Sequence, residues 1–178
     1  MSTAPAGAAD PTLAFNWKID ASTHLKKLNM DVTVPTGTFT GSVDLATGDL
    51  TGDITLPPAT VSFAGLANAQ MQIVEAQPVT GHVDLTTFAV TATSTFNIHV
   101  VSASPALLPF LNLVGNNCTT ATPVTVTMTG TANLTGPSTF SGPYTIPPFA
   151  HCQLATLVLT LAVSGPGNTF TATASPAT

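Results

Sequence analysis

The chain of 178 residues contains no arginine, and its three lysines, Lys18, Lys26 and Lys27, all precede residue 28. Proteins that bind nucleic acids or nucleotides neutralise phosphate groups with several lysine or arginine side chains. We therefore expect no nucleic-acid partner for this protein. Charged residues of both signs make up only 6% of the sequence, so few side chains are available for acid–base catalysis.

Long hydrophobic runs are also missing, although 44% of the residues are hydrophobic. The longest apolar stretches are Pro105–Val114 and Leu154–Val163, and a membrane-spanning helix needs about twice their length, roughly twenty residues. Apolar residues nevertheless recur throughout the chain, which is not typical of a disordered protein. The composition indicates a soluble, compact protein that does not span a membrane.

Cysteine is scarce as well, because only Cys118 and Cys152 are present and they form no Cys-x-x-Cys motif. A thiolate zinc site or a thioredoxin-like redox pair is therefore not expected. In a chain so poor in lysine and rich in threonine we expect one structural disulfide, with two buried free thiols as the alternative. A disulfide is typical of an oxidising compartment, so the predicted location is secreted or at the cell surface.

What is present is an alternation of apolar and polar residues with a period of two, as in half-buried antiparallel strands. In 91–101 and 124–134, for example, apolar or small residues occupy every second position and threonines most of the others. Pro-Pro pairs at 57–58 and 147–148 separate such segments.

Little helix is expected from this pattern. Apolar residues occupy both phases of Leu154–Val163, which predicts a central strand buried on both faces. Only a turn or two of helix is expected within 64–72 and 105–113.

Two short patterns recur along the chain. Thr-Gly-Ser-Val-Asp-Leu at 40–45 returns as Thr-Gly-His-Val-Asp-Leu at 80–85 and, more loosely, as Thr-Gly-Thr-Ala-Asn-Leu at 129–134. Gly-Asp-Ile-Thr-Leu-Pro-Pro-Ala at 52–59 resembles Gly-Pro-Tyr-Thr-Ile-Pro-Pro-Phe at 142–149. Two similar halves rich in hairpins would produce this spacing, and chance similarity among threonine- and glycine-rich strands is the alternative.

These patterns predict an all-β fold, namely an antiparallel β-sandwich or flattened barrel of two pseudo-similar halves with one disulfide. About ten to twelve strands are expected. Residues 12–174 are predicted to form a single domain, with loose tails at 1–11 and 175–178.

Three short segments resemble parts of secreted all-β domains that are common in actinobacteria. They are Asn117–Thr120, Tyr144–Phe149 followed by Cys152, and Val163–Thr169. The resemblance covers roughly residues 80–174, and two cysteines lie at similar places in those proteins. The resemblance implies a secreted, actinobacterial protein, and it identifies no catalytic residue in this chain.

A second resemblance concerns the beginning of the chain. Trp17–His24 and Gly37–Phe39 resemble the start of the periplasmic, isoprenoid-binding, lipocalin-like barrels. This likeness ends at residue 45 and implies a shared barrel-like strand pattern.

No arrangement of residues typical of a catalytic or metal site is present. The sequence lacks a Gly-x-Ser-x-Gly nucleophile motif, and its four histidines are scattered. His82 and Asp84 lie two positions apart on one predicted strand, but two ligands without a third form a weak metal site. We therefore predict a protein that is not an enzyme and that uses no metal or cofactor.

The first functional hypothesis is an extracytoplasmic protein that binds an apolar ligand such as a lipid, sterol or isoprenoid. More apolar residues are present than a two-sheet core of this size needs. The segment Pro105–Val114 is predicted to form a mobile lip over an apolar cavity, or alternatively to plug one end of the fold. The ligand-binding side chains predicted in it are Leu107, Leu108, Phe110, Leu111 and Leu113.

The second hypothesis is a structural or protein–protein interaction module of the cell surface or envelope, able to assemble with itself. Low charge weakens the repulsion between copies, and threonine-rich strand edges can pair with one another. Under either hypothesis an anionic head group or acidic partner has to bind near the three lysines, because the chain has no other cation.

Overall fold

A computed structural model describes residues 10–63 and 65–177, which form eleven β-strands and one α-helix. The strands are β1 (Thr12–Leu25), β2 (Met30–Asp44), β3 (Asp49–Thr55), β4 (Ala59–Phe63), β5 (Ala67–Val83), β6 (Ala89–Pro105), β7 (Thr119–Thr120), β8 (Val124–Thr131), β9 (Ser138–Ile146), β10 (Phe149–Ala150) and β11 (Gly165–Pro176). The helix, α1, is Thr156–Val163, and a single 3₁₀ turn, Gln153–Ala155, precedes it.

Eight of these strands pair into a closed antiparallel barrel. Around the barrel, β1, β2, β3, β5, β6, β8, β9 and β11 follow one another in chain order, and β11 pairs with β1 to complete the circle. Closure of this kind leaves no ring strand at the outer edge of an open sheet. The predicted all-β, antiparallel fold with one disulfide is thus confirmed.

The predicted alternation decides which side chains face the barrel interior. On β1, Leu13, Phe15, Trp17 and Ile19 line the interior, whereas the intervening Lys18 is exposed. The same period of two on the other ring strands produces a core of small and branched apolar residues, with threonines on the outer surface.

The two ends of the barrel differ in their connections. At one end, here called the open end, the turns 45–48, 84–88 and 132–137 join consecutive ring strands directly. The other end, here called the helix end, contains the turn 26–29, the loop 106–118 and the segment 147–164 with α1.

Three short strands lie outside the ring at the helix end. β4 pairs with β5, β7 pairs with β6, and β10 pairs with β7. Pro57 and Pro58 lie between β3 and β4, and the second proline pair, 147–148, lies between β9 and β10. The sequence repeat at 52–59 and 142–149 therefore corresponds to one local structure that occurs twice.

Leu154–Val163 is not the buried central strand that its sequence predicts, because it forms the 3₁₀ turn and α1. Each ring strand already has two neighbours in the barrel, so no central position is left for this segment. Leucine and alanine, which supply six of its ten residues, favour helix once strand pairing is not available. Of the two segments expected to contain helical turns, 105–113 has only hydrogen-bonded turns and 67–72 belongs to β5, while residue 64 lies outside the described residues.

Cys118 and Cys152 form the predicted disulfide, and both side chains are fully buried. It fastens the end of the loop 106–118 to the start of the 3₁₀ turn. In the described residues, no helix is long and apolar enough to cross a bilayer. β11 continues to Pro176, beyond the predicted domain end, and residues 1–9 of the predicted N-terminal tail lie outside the described residues.

Candidate functional site: an apolar cavity at the open end

The barrel interior contains a cavity of about 160 Å³ at the open end. All eight ring strands contribute to its wall, and every lining side chain is apolar. β1 alone supplies Leu13, Phe15, Trp17 and Ile19. A molecule in this cavity would be held by apolar contact and by shape, since the wall exposes no polar atom to it.

Aromatic rings form one side of the cavity. The ring centroid of Phe15 lies 4.9 Å from that of Trp17 and 4.9 Å from that of Phe39. A Cβ atom on Gly41 would come within 2.9 Å of the Phe15 ring, and one on Gly52 within 2.8 Å of the Phe39 ring. These two glycines are therefore needed for the rings to lie flat against β2 and β3.

The rim of the cavity is formed by the repeated sequence pattern. Its three copies end in Leu45, Leu85 and Leu134, which all line the cavity and lie at the three open-end turns. Their exposed fractions are 44%, 40% and 69%. Three leucines therefore remain partly in contact with water at the cavity mouth, which is costly for side chains of this type.

Local hydrogen bonds explain why the pattern recurs at these turns. Asp44 Oδ1 accepts hydrogen bonds from the backbone N–H groups of residues 46–47 at 2.7 and 3.1 Å. Asp84 Oδ1 accepts the corresponding bonds from residues 86–87 at 2.8 and 2.9 Å. Asn133 Oδ1 accepts one from the N–H two positions later at 3.0 Å. The Asp or Asn thus fixes each turn, and the leucine that follows it is directed to the mouth.

Phe88 has a strained backbone conformation, and its side chain lies at the rim of the cavity. Its φ is 60°, in the left-handed region, where the corresponding turn has Gly48 with a φ of 82°. This conformation costs a non-glycine residue about 1–2 kcal/mol. The Phe88 side chain lines the cavity and is 36% exposed. A strained phenylalanine at a position suited to glycine suggests that its ring has a function.

The open end is acidic. The backbone N–H groups of Thr87 and Thr86 lower the pKa of Asp84 below its ordinary value, so this carboxylate is ionised at neutral pH. Within the described residues, no lysine lies at this end of the barrel. The carboxylates in or beside its turns are those of Asp10, Asp44, Asp49 and Asp84.

A smaller cavity of about 50 Å³ lies deeper in the barrel. Unlike the larger one, it has polar groups in its wall, where the hydroxyl oxygens of Thr23 and Tyr144 are 2.6 Å apart. Burial raises the pKa of Tyr144 above its ordinary value. The ring of Phe96 packs against two other aromatic rings, with centroid distances of 6.5 Å to Tyr144 and 6.3 Å to Phe170. The interior is therefore divided into an apolar upper part and a lower part with one hydroxyl pair.

The five residues predicted to bind ligand lie in the loop 106–118 at the helix end and line neither cavity. They are Leu107, Leu108, Phe110, Leu111 and Leu113. The loop follows β6, which starts at the open end and finishes at the helix end, so the predicted lip lies on the side opposite the larger cavity's mouth. A binding role for these side chains stays a prediction.

His82 and Asp84, the two residues of the weak metal site suggested by the sequence, take part in different interactions. His82 lies opposite Asp49, with 3.7 Å between Nδ1 and Oδ1. Asp84 instead accepts the backbone hydrogen bonds of its own turn. Within residues 10–63 and 65–177, no group of three or more His, Cys, Asp or Glu side chains is placed to hold a metal ion.

Sequence reasoning does not single out the cavity residues, because alternating apolar residues are equally consistent with a filled core. The available signal is the repeat. A leucine that follows a turn-forming Asp or Asn three times, at residues 45, 85 and 134, marks three equivalent places on one end of the fold.

No family model matches the chain, and searches of curated proteins and of solved structures found no match either. The geometry of the cavity is therefore the basis for assigning a function.

Proposed function

We propose that the protein is a non-enzymatic binding protein for an apolar small molecule, such as a lipid, sterol or isoprenoid, and that it acts outside the cytoplasm. The observation that carries this proposal is the apolar cavity at the open end. Water inside such a wall finds no hydrogen-bond partner, so an apolar ligand is the favoured occupant. The buried disulfide supports the extracytoplasmic location.

The size of the cavity indicates how a ligand would be held. An apolar cavity of about 150 Å³ in a protein core is large enough to bind benzene. The cavity of about 160 Å³ therefore holds the apolar end of a larger molecule, such as one ring or a short branched segment. The remainder of the ligand would lie between the rim leucines and extend towards solvent.

The charge at the mouth limits the ligand class further. An anionic head group leaving the cavity would meet several carboxylates, among them Asp44 and Asp84, and these like charges would repel it. We therefore propose a ligand whose polar end is uncharged, which favours sterols and isoprenoid alcohols over free fatty acids.

The proposal is tested by titration with Nile red, a neutral fluorophore that brightens in apolar surroundings. Trp17 is the only tryptophan of the chain and lies in the cavity wall, so a dye in the cavity will quench its fluorescence. Ala132→Phe places a ring in the cavity and is expected to weaken binding by about tenfold or more, equivalent to about 1.4 kcal/mol.

The matched control is Thr131→Phe, which adds the same kind of ring one position earlier, on the outer surface. It is expected to bind the dye as the wild type does. The proposal is wrong if the wild type takes up no Nile red, or if Ala132→Phe and Thr131→Phe bind it equally well.

A second prediction concerns Phe88. Phe88→Gly is expected to weaken Nile red binding while changing the free energy of unfolding by less than about 1 kcal/mol, because relief of the left-handed strain offsets the lost ring contacts and the greater freedom of glycine in the unfolded chain. Asn29, with a φ of 46° in the turn 26–29 at the helix end, provides the control. Asn29→Gly should leave dye binding unchanged. Equal dye affinities for Phe88→Gly and the wild type would show that the ring has no role at the mouth.

A further inference from the structure

The helix end carries an exposed apolar surface that the cavity does not use. Four side chains of the 3₁₀ turn and α1, spaced at i, i+3, i+4 and i+7, point away from the barrel with exposed fractions of 97%, 66%, 64% and 66%. A surface helix normally turns its apolar stripe towards the core. These four residues, here called the outer helix face, are Leu154, Leu157, Val158 and Leu161.

The outer helix face is held in a fixed orientation. Val163 is buried in the core on the opposite side of the helix. The hydroxyl oxygens of Thr156 and Thr160 accept hydrogen bonds from the backbone N–H groups of Cys152 and Phe149 at 3.0 and 3.1 Å. The disulfide ties the segment to the loop 106–118 as well. The exposure of the leucines therefore follows from how the helix is fastened to the barrel.

The neighbouring loops extend this apolar surface at the same end of the barrel. Leu107 and Phe110 of the loop 106–118 are 93% and 83% exposed, and Leu66 is 78% exposed. A Cβ on Gly115 of this loop would lie 2.7 Å from the Gln153 side chain, so the loop and the 3₁₀ turn are in contact. Clustered exposed side chains of this kind mark an interaction surface.

Two of the chain's three lysines, Lys26 and Lys27, lie in the turn 26–29 at the helix end. Lys27 Nζ donates a hydrogen bond to the backbone oxygen of Leu161 at 3.1 Å. The alkyl chain of Lys26 passes over Gly167, where a Cβ would lie 3.3 Å from its Cγ. In the same hairpin Asp31 is engaged with His24, with 2.8 Å between Oδ1 and Nδ1. The helix end is therefore the basic end of a chain with a net charge of −5, whereas the open end carries carboxylates.

We propose that the helix end docks on the surface of a lipid bilayer that contains anionic lipids. The outer helix face would insert among the upper acyl chains, and Lys26 and Lys27 would lie at the level of the head groups. Interfacial helices combine an apolar face with flanking lysines in this way, and each lysine near an anionic surface strengthens binding by about fivefold. Docking in this orientation directs the acidic open end away from the membrane. Docking of the helix end does not require a ligand in the cavity.

The test is sedimentation of the full chain with vesicles made of equal parts of phosphatidylcholine and phosphatidylglycerol. We expect binding that weakens on addition of salt and is much weaker on vesicles of phosphatidylcholine alone. The double variant Leu157→Ser/Leu161→Ser should lose about tenfold or more in affinity, because two leucines no longer leave water. Its fold is checked by circular dichroism and by Nile red binding, which should be unchanged.

Matched control variants show whether vesicle binding depends on where the leucines and lysines lie or only on how many the chain has. Leu45→Ser/Leu85→Ser removes two exposed leucines from the open end and should bind vesicles as the wild type does. Lys27→Gln should weaken vesicle binding about fivefold, whereas Lys18→Gln, which removes the lysine in the middle of β1, should have little effect.

Three results would overturn the proposal. The first is a wild type that does not sediment with the anionic vesicles. The second is equal binding of these vesicles by the helix-end and open-end leucine variants. The third result is self-association that rises with protein concentration and disappears in Leu157→Ser/Leu161→Ser, which would identify a second copy of the chain as the partner of the outer helix face.

Discussion

Replacing both cysteines with alanine is expected to lower the free energy of unfolding by about 3–4 kcal/mol. The disulfide closes a loop of 34 positions between Cys118 and Cys152, and releasing it lets the unfolded chain explore many more conformations. For a chain of this length the loss corresponds to a melting temperature lower by roughly 10 °C. Urea unfolding of the double variant and of the wild type measures the difference directly.

Reductant provides the control for this prediction. It should lower the stability of the wild type to about that of Cys118→Ala/Cys152→Ala and leave the double variant unchanged. The effect should also be greatest at the helix end, so amide exchange is expected to accelerate in the loop 106–118 and in α1 but not in the open-end turn 84–88. A double variant as stable as the oxidised wild type would contradict the prediction.

The strands of the barrel could be predicted from the sequence because each ring strand is solvated on its outer face. In β8, for instance, Val124, Val126 and Met128 are buried, while Thr125 and Thr127 are exposed, as the alternation predicts. The pairing of the two cysteines could also be predicted, since the chain offers no other partner for either. Closure of the ring could not be predicted, because an alternating pattern describes the two faces of a strand but does not say which strands lie beside it.

The helix and the position of the cavity could not be predicted from the sequence either, for reasons different from the one that applies to ring closure. Leu154–Val163 is apolar in both phases, and such a run is typical of a doubly buried strand, whereas here one side of it faces solvent. The leucine-rich segment Pro105–Val114 is predicted from its composition to lie over the cavity. Which end of the barrel a loop occupies follows from the number and direction of the strands before it, and composition carries no information on that.

The role of Asn168, which follows a Gly-Pro-Gly turn signal, could not be predicted from the sequence either. This side chain is 1% exposed and joins three parts of the helix end. Its Oδ1 accepts a hydrogen bond from the Lys26 N–H at 3.0 Å, and its Nδ2 donates to the backbone oxygens of Gly165 and Tyr144 at 2.8 and 3.4 Å. The pairing of β11 with β9 is irregular between Gly165 and Asn168, so the asparagine satisfies backbone groups that the strand ladder leaves free.

Asn168→Ala is therefore expected to lower the free energy of unfolding by roughly 3 kcal/mol or more, because buried backbone groups lose their partner with no water to replace it. Asn112 offers a matched control, since its side chain also bonds three backbone groups, those of Ala103, Val114 and Gly115, at 3.2 to 3.3 Å. Asn112 is exposed, so water can replace its amide, and Asn112→Ala should cost about 1 kcal/mol or less. Urea unfolding of both variants measures the contrast. Equal losses would mean that the burial of Asn168 does not determine the cost of removing its hydrogen bonds.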